Sequence, residues 1–317
     1  MNKGIKLIRH ADLPNALKPC VATIGNFDGV HLGHQAILQS VINKARQLSL
    51  VPTVITFEPL PLSVLRPKES FARIMKFSQK LAMLSAMGIE QVVCLRFNPA
   101  FAKLTPMQFI EQYLVKLIGL SHLFIGEGFR FGHQQAGSVQ TLTQGAQTFG
   151  FDVQAIEHKQ SSGAKISSSE IRHLLTQGEL DQVAQLLGRP FSITSRVVKG
   201  SRRGTDFGFP TANLAKHPGC ALIKGVFVTM ITVDGIDYQG VANSGTRPTV
   251  DGLKHILEVH LLHFNGDLYG KKITVKFLHK LRNEQRFDNI EQLKQQITVD
   301  VQKTKTFFAQ GLLKEID

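Results

Sequence analysis

The stretch VATIGNFDGVHLGHQAILQSVINKARQLSLVPTVITF, residues 21–57, has the pattern of one strand–helix–strand unit. An apolar run ends at Gly25, a helical pattern follows from His34, and a continuous β-branched run begins at Val51. Continuous apolar strands are typical of a sheet that is buried on both faces, and a helical crossover makes its two strands parallel. The stretch therefore predicts a parallel α/β sheet.

The same alternation continues as far as residue 188. Strand-like runs at 91–95, 122–126 and 151–156 alternate with helical patterns at 106–117 and near 138–149. SSSEIRHLLTQGELDQVAQLLG, residues 167–188, begins with a capping serine and predicts one or two helices that end at Gly188. Repeated units of this size indicate a parallel sheet with right-handed crossovers.

The pattern changes after residues 188–190. Short apolar runs at 191–198, 225–233, 238–245, 257–264 and 271–278 are separated by turn signals, and one long helical pattern follows at 288–304. Many short strands without intervening helices predict an antiparallel barrel or sandwich. We therefore expect an α/β domain at residues 1–187 and a β domain at residues 188–317.

The composition favours a phosphorylated small molecule as the partner. Lys and Arg number 37 against 24 Asp and Glu, a net charge of +13, which suits nucleic acid, acidic lipid or phosphorylated metabolites. The basic residues are scattered, with the densest cluster at 199–203, and the chain offers no Trp and three Tyr for stacking on bases. We therefore expect neither nucleic acid nor a membrane as a partner. The sequence does not indicate an oligomeric state.

Cysteine usage and hydropathy point to the cytoplasm. The three cysteines, Cys20, Cys94 and Cys220, are far apart and form no CxxC pair. No apolar stretch approaches the roughly 20 residues that span a bilayer, and the first 18 residues lack the apolar core of a signal peptide. We expect a cytoplasmic protein without a cysteine metal site.

GNFDGVHLGH, residues 25–34, lies between the first buried strand and its helix. Ligands of open α/β sheets collect at that edge, and a helix N-terminus favours an anion. His31 and His34 could donate from their rings to phosphate oxygens. Two histidines three apart also occur in ordinary helix packing, and zinc would require a third ligand at recognisable spacing. The strand–turn–helix context favours phosphate.

KISSSEIR, residues 165–172, is a second candidate segment. Serines before a helix are explained by capping alone. Three hydroxyl groups followed by Arg172 exceed what a cap requires, which favours a phosphate contact.

GTDFGFPTANL, residues 204–214, belongs to the β domain. Thr211 and Asn213 are two apart, so in an extended segment they share a side and present hard oxygen ligands for Mg²⁺. A local turn, in which both side chains bind nearby backbone, is the alternative. The basic, glycine-containing residues before them favour a phosphate site.

Glu258 is the candidate general base of the same domain. In LEVHLLHF, residues 257–264, the alternation places Glu258 and His260 on one face and Val259 and Leu261 on the other. An ionised carboxylate among apolar residues is costly unless it is paired or catalytic. An exposed glutamate on an edge strand remains an equal alternative.

Several segments together resemble a known family. The loop at 25–34 is similar to the signature of the nucleotidyltransferase superfamily. With it, TFEPLP, ISSSEIR, GRPFSI, GFPTANL, GVANSGTRPTVDG, LEVH and GDLYGKKITVKFLHKLRNEQRF resemble the bacterial bifunctional riboflavin kinase/FMN adenylyltransferases over nearly the whole chain.

The resemblance implies a Rossmann-like nucleotidyltransferase domain and a C-terminal antiparallel Greek-key barrel, riboflavin kinase-like, with a terminal helix. It implies transfer of the ATP γ-phosphoryl group to riboflavin, giving FMN, and adenylylation of FMN to FAD with release of pyrophosphate. ATP, riboflavin and FMN would be the substrates and Mg²⁺ the cofactor.

The resemblance also assigns individual residues. Catalysis falls to Glu258, His31, His34 and Arg172; ATP binding to Gly25, Asn26, Phe27, Asp28, Gly33, Ser167, Ser168, Lys199, Gly200, Gly208 and Pro210; flavin binding to Phe57, Pro59, Phe129, Arg130 and Arg282; and Mg²⁺ to Thr211 and Asn213.

Three alternatives stay open. GEGFRFGHQQAGS, residues 126–138, departs from the family pattern at Gly128, Gln135 and Ser138, which raises the alternative of a riboflavin kinase with weakened adenylyltransferase. HxGH also resembles the loop of class I aminoacyl-tRNA synthetases, although no KMSKS-like segment accompanies it. A flavin-binding regulator without catalysis is the third.

Overall fold

The computed structural model describes residues 4–12, 17–67, 72–157, 160–161, 164–199, 208–249 and 252–311. The chain forms two compact units. Unit 1 comprises Met1–Phe71 and Phe77–Ile166, and unit 2 comprises Ala72–Lys76 and Ser167–Asp317. The helices at 168–187 thus belong to unit 2, whereas our predicted domain boundary lies after residue 187.

Unit 1 contains a six-stranded parallel sheet, as predicted. Its strands are β1 (Lys6–Arg9), β2 (Cys20–Ile24), β3 (Val51–Glu58), β4 (Gln91–Arg96), β5 (Leu120–Gly126) and β6 (Asp152–Ile156). β2 is buried along its whole length, as a central parallel strand should be. A separate pair, β7 (Gln160–Ser161) and β8 (Ala164–Lys165), is antiparallel.

The strand order β1-β4-β3-β2-β5-β6 places a topological switch point between β2 and β5. From β2 the chain proceeds to β3 and β4 on one side, and β5 then pairs on the other side of β2. The loops that leave the carboxyl ends of β2 and β5 therefore diverge, which is where open α/β sheets bind ligands.

The helices of unit 1 confirm the predicted segments and add two, at Pro61–Leu65 and Phe77–Met87. They are α1 (Leu32–Leu48), α2 (Pro61–Leu65), α3 (Phe77–Met87), α4 (Pro106–Phe109), which continues as a π-helix (Ile110–Leu117), and α5 (Val139–Phe149). Short 3₁₀ turns lie at His10–Asp12, Phe101–Lys103 and His133–Gln135. The pattern did not predict β1 or α3, because β1 is a short edge strand and α3 buries only Lys80 and Leu84.

Unit 2 is a closed antiparallel barrel, which decides between the predicted barrel and sandwich. Its strands are β9 (Ser192–Val198), β10 (Ala212–Leu214), β11 (Gly225–Val233), β12 (Ile236–Thr249), β13 (Gly252–Leu261) and β14 (Lys272–Arg282). β11, β12 and β13 pair in succession, and β14 returns to pair with β11. This is the predicted Greek key.

The described residues of unit 2 also include three helices and one buried segment. The helices are α6 (Ser168–Gln177), α7 (Leu180–Leu187) and α8 (Ile290–Ala309), and a 3₁₀ turn lies at Pro218–Leu222. In Ala72–Lys76, the Ile74 side chain is 2% exposed and joins the barrel core. The Lys76 ammonium donates to Ser195 Oγ at 3.2 Å, so this short segment is anchored to the barrel.

His217 makes the stability of unit 2 sensitive to acid. Its buried ring accepts a hydrogen bond from the Gly219 N–H at Nδ1 (2.9 Å), and burial together with the charge of Lys76 lowers the His217 pKa to about 3. The unfolded chain therefore binds a proton at a pH where the folded chain does not. Stability is full above about pH 6.5 and is lost as the pH falls toward 3, by up to about 1.4 kcal/mol per pH unit.

We expect the urea midpoint of the wild type to fall between pH 7 and pH 5 by more than that of His217→Asn. Asparagine can still accept the Gly219 hydrogen bond but does not titrate, so the difference isolates this ring. The unfolding of the barrel is monitored in both proteins. Urea midpoints that depend equally on pH in the wild type and in His217→Asn would contradict the prediction.

Candidate active sites

The loop after β2 has an unusual backbone. Phe27, Gly29 and Val30 all have positive φ angles, of 48°, 88° and 43°. Positive φ is easy for glycine, uncommon for phenylalanine and a clear outlier for β-branched valine. Phe27 and Val30 are nevertheless fully buried, so their packing holds the loop in this shape.

The loop also carries the two predicted histidines. The His31 side chain caps α1 by accepting the His34 N–H at Nδ1 (3.3 Å). Because Nδ1 accepts this hydrogen bond, Nε2 is the ring nitrogen of His31 that can donate one. A Cβ at Gly33 would lie 3.3 Å from the His31 ring, so glycine leaves the ring its space.

His34 stacks on His31 with ring centroids 3.6 Å apart and planes inclined by 17°, and it contacts the Phe27 ring at 5.0 Å. Burial, and then the charges of His31 and Lys80, lower the His34 pKa well below its usual value. His34 is therefore neutral near pH 7. Its buried Nδ1 has no hydrogen-bond partner among the described residues, as expected of an atom in a polar site that takes a ligand.

The remaining loop residues lie where the motif predicts. Asp28 is 4% exposed, whereas Asn26 is exposed at the sheet edge. A Cβ at Gly25 would meet the Phe27 ring at 3.1 Å. The structure therefore places His31 in one loop with the six other residues predicted there, which are Gly25, Asn26, Phe27, Asp28, Gly33 and His34.

A cluster of aromatic rings connects two predicted flavin residues, Phe57 and Phe129. Phe57 at the end of β3 contacts the rings of Phe97 and Phe101 at 6.0 and 5.9 Å. The contacts continue from Phe101 through Phe109 and Phe131 to Phe129, whose ring stacks on Phe131 at 5.6 Å. Phe57 and Phe129 are partly exposed, as a stacking surface for a planar ring must be.

Pro59 and Arg130, the other predicted flavin residues of unit 1, are both exposed. In the flavin-side loop, Gly128 is exposed and Gln135 has a positive φ of 59°. Ser138 caps α5 by accepting the Thr141 N–H, in a reciprocal capping box. The serine at position 138 thus has a structural role of its own.

The segment ISSSEIR begins α6. Ile166 is buried in unit 1. In unit 2, Ser167 is the N-cap of α6 and accepts the Glu170 N–H at 3.2 Å, while Ser168 is the first helical residue. Arg172 donates from Nε to the Ala72 carbonyl at 2.9 Å. Ser167 therefore acts as a helix cap, and the predicted ATP-binding and catalytic roles of Ser167, Ser168 and Arg172 stay predictions.

Glu258 lies in a row of polar side chains on the outer face of the barrel. The strand register pairs Glu258 with Asn213 of β10 on one side and with Asn243 of β12 on the other. Leu257 and Val259 are buried in the barrel core, so Glu258 faces outward. β13 is paired on both sides in a closed barrel, which excludes the exposed edge-strand alternative.

The GFPTAN segment is fixed beside this row. His260 Nδ1 contacts the Pro210 carbonyl at 2.8 Å, and the Phe209 ring meets the His260 ring edge-on at 5.7 Å. Ala212 and Leu214 pack on the barrel core, so Thr211 and Asn213 lie on the outer side with Glu258. Their hydroxyl and amide oxygens suit a hard cation such as Mg²⁺.

The predicted ATP loop of unit 2 is described at its two ends. Lys199 is exposed one residue after Val198, the register partner of Asn213. Gly208 is exposed with a φ of 83°. Gly200, also predicted to bind ATP, lies outside the described residues.

Arg282 makes a buried ion pair with Asp300 of α8. Its Nε and Nη2 donate to the Asp300 carboxylate at 2.8–3.1 Å, and its Nη1 donates to the Asn283 carbonyl at 3.1 Å. The two side chains are 15% and 4% exposed. This pair ties α8 to the end of β14. The predicted flavin contact of Arg282 stays a prediction.

The described residues contain neither a metal-binding cluster of His, Cys, Asp and Glu side chains nor a helix that could cross a membrane. No group of three or more His, Cys, Asp and Glu side chains among them could hold a metal ion. Within the same residues, no helix has both the length and the apolar character needed to cross a membrane.

Sequence reasoning missed four polar or aromatic contributors to these sites: Gln35, Lys80, Phe97 and Asn243. Gln35 directly follows the HxGH residues, and Asn243 lies in the quoted GVANSG segment, so both had a nearby signal. Lys80 and Phe97 had none, because their positions depend on how α3 and β4 pack beside the loop.

A polar loop at the switch point of unit 1 and a carboxylate–amide row on the barrel of unit 2 are the features expected of a nucleotide-dependent transferase. Two family models support this class: residues 13–170 match the model described as FAD synthetase, and residues 187–308 match riboflavin kinase.

Curated relatives match across both parts. The Escherichia coli K12 bifunctional riboflavin kinase/FMN adenylyltransferase is 41% identical over 296 residues, covering 93% of this chain and 94% of the relative. The Haemophilus influenzae enzyme of that name is 39% identical over 306 residues, covering 96% and 99%. The chain belongs to the bifunctional riboflavin kinase/FMN adenylyltransferase family. It phosphorylates riboflavin with ATP to FMN and adenylylates FMN to FAD, which confirms the predicted activities.

A solved structure supports the fold over the same length. It is titled a macrolide-efflux protein from Streptococcus pneumoniae, has a TM-score of 0.82 and 28% sequence identity, and covers 95% of this chain and 99% of that chain. The two chains therefore share a fold.

Proposed function

We propose that the barrel phosphorylates riboflavin at the row Asn213–Glu258–Asn243 and that the loop at 25–34 adenylylates FMN. The observation that carries the proposal is the strand register that places Glu258 directly between two amide side chains. Directly paired side chains on one face have Cβ atoms about 5 Å apart, close enough to act on one phosphoryl group and its acceptor.

In the kinase reaction, Glu258 accepts the proton of the terminal ribityl hydroxyl as its oxygen bonds to the γ-phosphorus. The bond from that phosphorus to the β,γ-bridging oxygen breaks, and ADP leaves. Thr211 and Asn213 would hold Mg²⁺, which when bound neutralises charge on the phosphates. Lys199, Gly200, Gly208 and Pro210 would line the ATP side, and Arg282 the flavin side.

In the adenylyl transfer, an oxygen of the FMN phosphate bonds to the α-phosphorus of ATP as pyrophosphate leaves. His31 donates from Nε2 to a phosphate oxygen whose negative charge grows in the transition state. His34 keeps the His31 ring in place by stacking and would contact the same phosphates. The resemblance assigns Ser168 and Arg172 to this reaction as well.

The flavin ring of FMN would lie on the aromatic cluster that includes Phe57 and Phe129, with Pro59 and Arg130 at its rim. Offset or edge contacts between aromatic rings contribute about 1 kcal/mol each beyond area burial, so a cluster of partly exposed rings suits a planar tricyclic ligand.

We further propose a functional division near residue 187 and a cytoplasmic location. The riboflavin kinase family model begins at residue 187, which supports that division. Cys20, Cys94 and Cys220, all within the described residues, are buried and form no disulfide, in keeping with a reducing compartment.

A coupled assay tests whether both activities are strong. Purified enzyme with riboflavin, ATP and Mg²⁺ is expected to form FMN first and then convert most of it to FAD, as chromatography with fluorescence detection would show. FMN that accumulates without FAD would favour the alternative of a weakened adenylyltransferase, and supplied FMN with ATP provides the control.

A further inference from the structure

The strained loop of unit 1 needs support beyond its own sequence. Phe27 and Val30 have positive φ angles, which are unfavourable for residues with a Cβ. Such conformations persist only where the surroundings fix them, and they are frequent at ligand-binding sites.

Two side chains hold the carbonyl groups at the two ends of the strained segment. Lys80 Nζ donates to the Asn26 carbonyl at 2.9 Å and to Thr56 Oγ1 at 3.2 Å. Gln35 Nε2 donates to the Val30 carbonyl at 2.9 Å. One anchor comes from α3 and the other from α1, so two separate helices fix the start and the end of the loop.

Lys80 is an unusual anchor because it is 4% exposed. A buried ammonium is costly unless several groups solvate it, and lysines are rarely so buried. Its charge lies close enough to His34 to contribute to the lowered His34 pKa. Lys80 therefore places a positive charge behind the loop and binds the loop at the same time.

We propose that Lys80 and Gln35 are positioning residues for adenylyl transfer, which together clamp residues 26–30 and thereby fix His31 and the loop backbone against the ATP phosphates. The inference rests on the proposed placement of the adenylyl site at this loop. Neither residue needs to touch the substrate, because a loop displaced by about 1 Å already loses about 100-fold in rate.

The test compares Lys80→Met, Gln35→Leu and the double variant with Lys103→Met, which removes an exposed lysine elsewhere in unit 1. FAD formation from supplied FMN gives kcat and KM for ATP, and FMN formation from riboflavin reports on the barrel. Each single variant is expected to lower kcat/KM for FAD formation about 100-fold, mainly in kcat, with the riboflavin kinase rate unchanged. Lys103→Met is expected to match the wild type.

Two further readouts separate positioning from a general loss of structure. The double variant is expected to lose less than the product of the single losses, because release of either end already frees the loop. In a pH titration by NMR, the His34 ring signal is expected to titrate at higher pH in Lys80→Met than in Gln35→Leu, since only the first removes a nearby charge.

The inference is wrong if folded Lys80→Met and Gln35→Leu keep kcat/KM within about threefold of the wild type, or if their losses multiply independently. Should Lys80→Met fail to fold, Gln35→Leu decides by the same threshold. His31→Ala separates the two levels of the proposal. If His31→Ala retains FAD formation, the proposed site itself is wrong. If His31→Ala loses FAD formation while Lys80→Met and Gln35→Leu retain it, only the proposed positioning role of Lys80 and Gln35 is wrong.

Discussion

Glu258→Gln is expected to lower kcat for FMN formation from riboflavin by about 1,000-fold, while FAD formation from supplied FMN stays at the wild-type rate. Glutamine has nearly the shape of glutamate, so it preserves the packing at the position that the register pairs with Asn213 and Asn243. It cannot accept the proton of the ribityl hydroxyl. The loss should therefore fall on kcat, with little change in KM for ATP or riboflavin.

Glu291→Gln provides the matched control for this substitution. Glu291 lies in the first turn of α8, its side chain is 77% exposed, and its carboxylate lies 3.8 Å from the Lys294 ammonium, so its replacement should change neither reaction. A Glu258→Gln enzyme that still forms FMN at more than about a tenth of the wild-type rate would contradict the assignment of the base.

His31→Ala is expected to give the reverse result: FAD formation from FMN falls about 100- to 1,000-fold, and FMN formation from riboflavin is unchanged. Alanine removes the Nε2 donor, but it also removes the cap of α1, which costs about 1 kcal/mol of stability. His31→Asn separates the two effects, because an asparagine side chain can cap the helix but cannot reach as far as Nε2. Both variants should lose adenylyl transfer, and only alanine should lower the unfolding midpoint.

His173→Ala is the control for the histidine substitutions, since His173 is exposed on α6. The two-site assignment fails if His31→Ala and Glu258→Gln impair both reactions to the same extent in folded protein. Equal losses would mean that one shared site carries out both transfers.

The pattern of apolar and polar residues along the sequence, and the period at which it repeats, were enough to predict most of the architecture. Val21–Ile24 and Val51–Phe57 are continuous apolar runs, and the structure buries them in neighbouring parallel strands. The runs after residue 190 alternate, and the structure closes them into a barrel. The sequence did not predict β1 or α3. Both elements are stabilised by packing, at the sheet edge and beside the loop, and the local sequence carries little information about that packing.

The motif residues could be found from the sequence, but the strand pairings and contacts that they make could not. The alternation around Glu258 predicts which way it faces, and burial of Leu257 and Val259 confirms it. Its pairing with Asn243 depends on the register between β12 and β13, which no local pattern encodes. Arg282 was found from its motif, but its ion pair with Asp300 of α8 could not be predicted from the local sequence.

The sequence by itself determined the two unit types, the family, and the chemical groups of both sites, because hydrophobic period and motif spacing are local properties. Only the tertiary structure decided how those groups are held. It placed a buried lysine from α3 against the loop carbonyl of Asn26, left Nε2 as the nitrogen of His31 that can donate because Nδ1 caps the helix, and set Glu258 between two amides. These relations join residues far apart in the chain or depend on hydrogen-bond geometry, which only packing specifies.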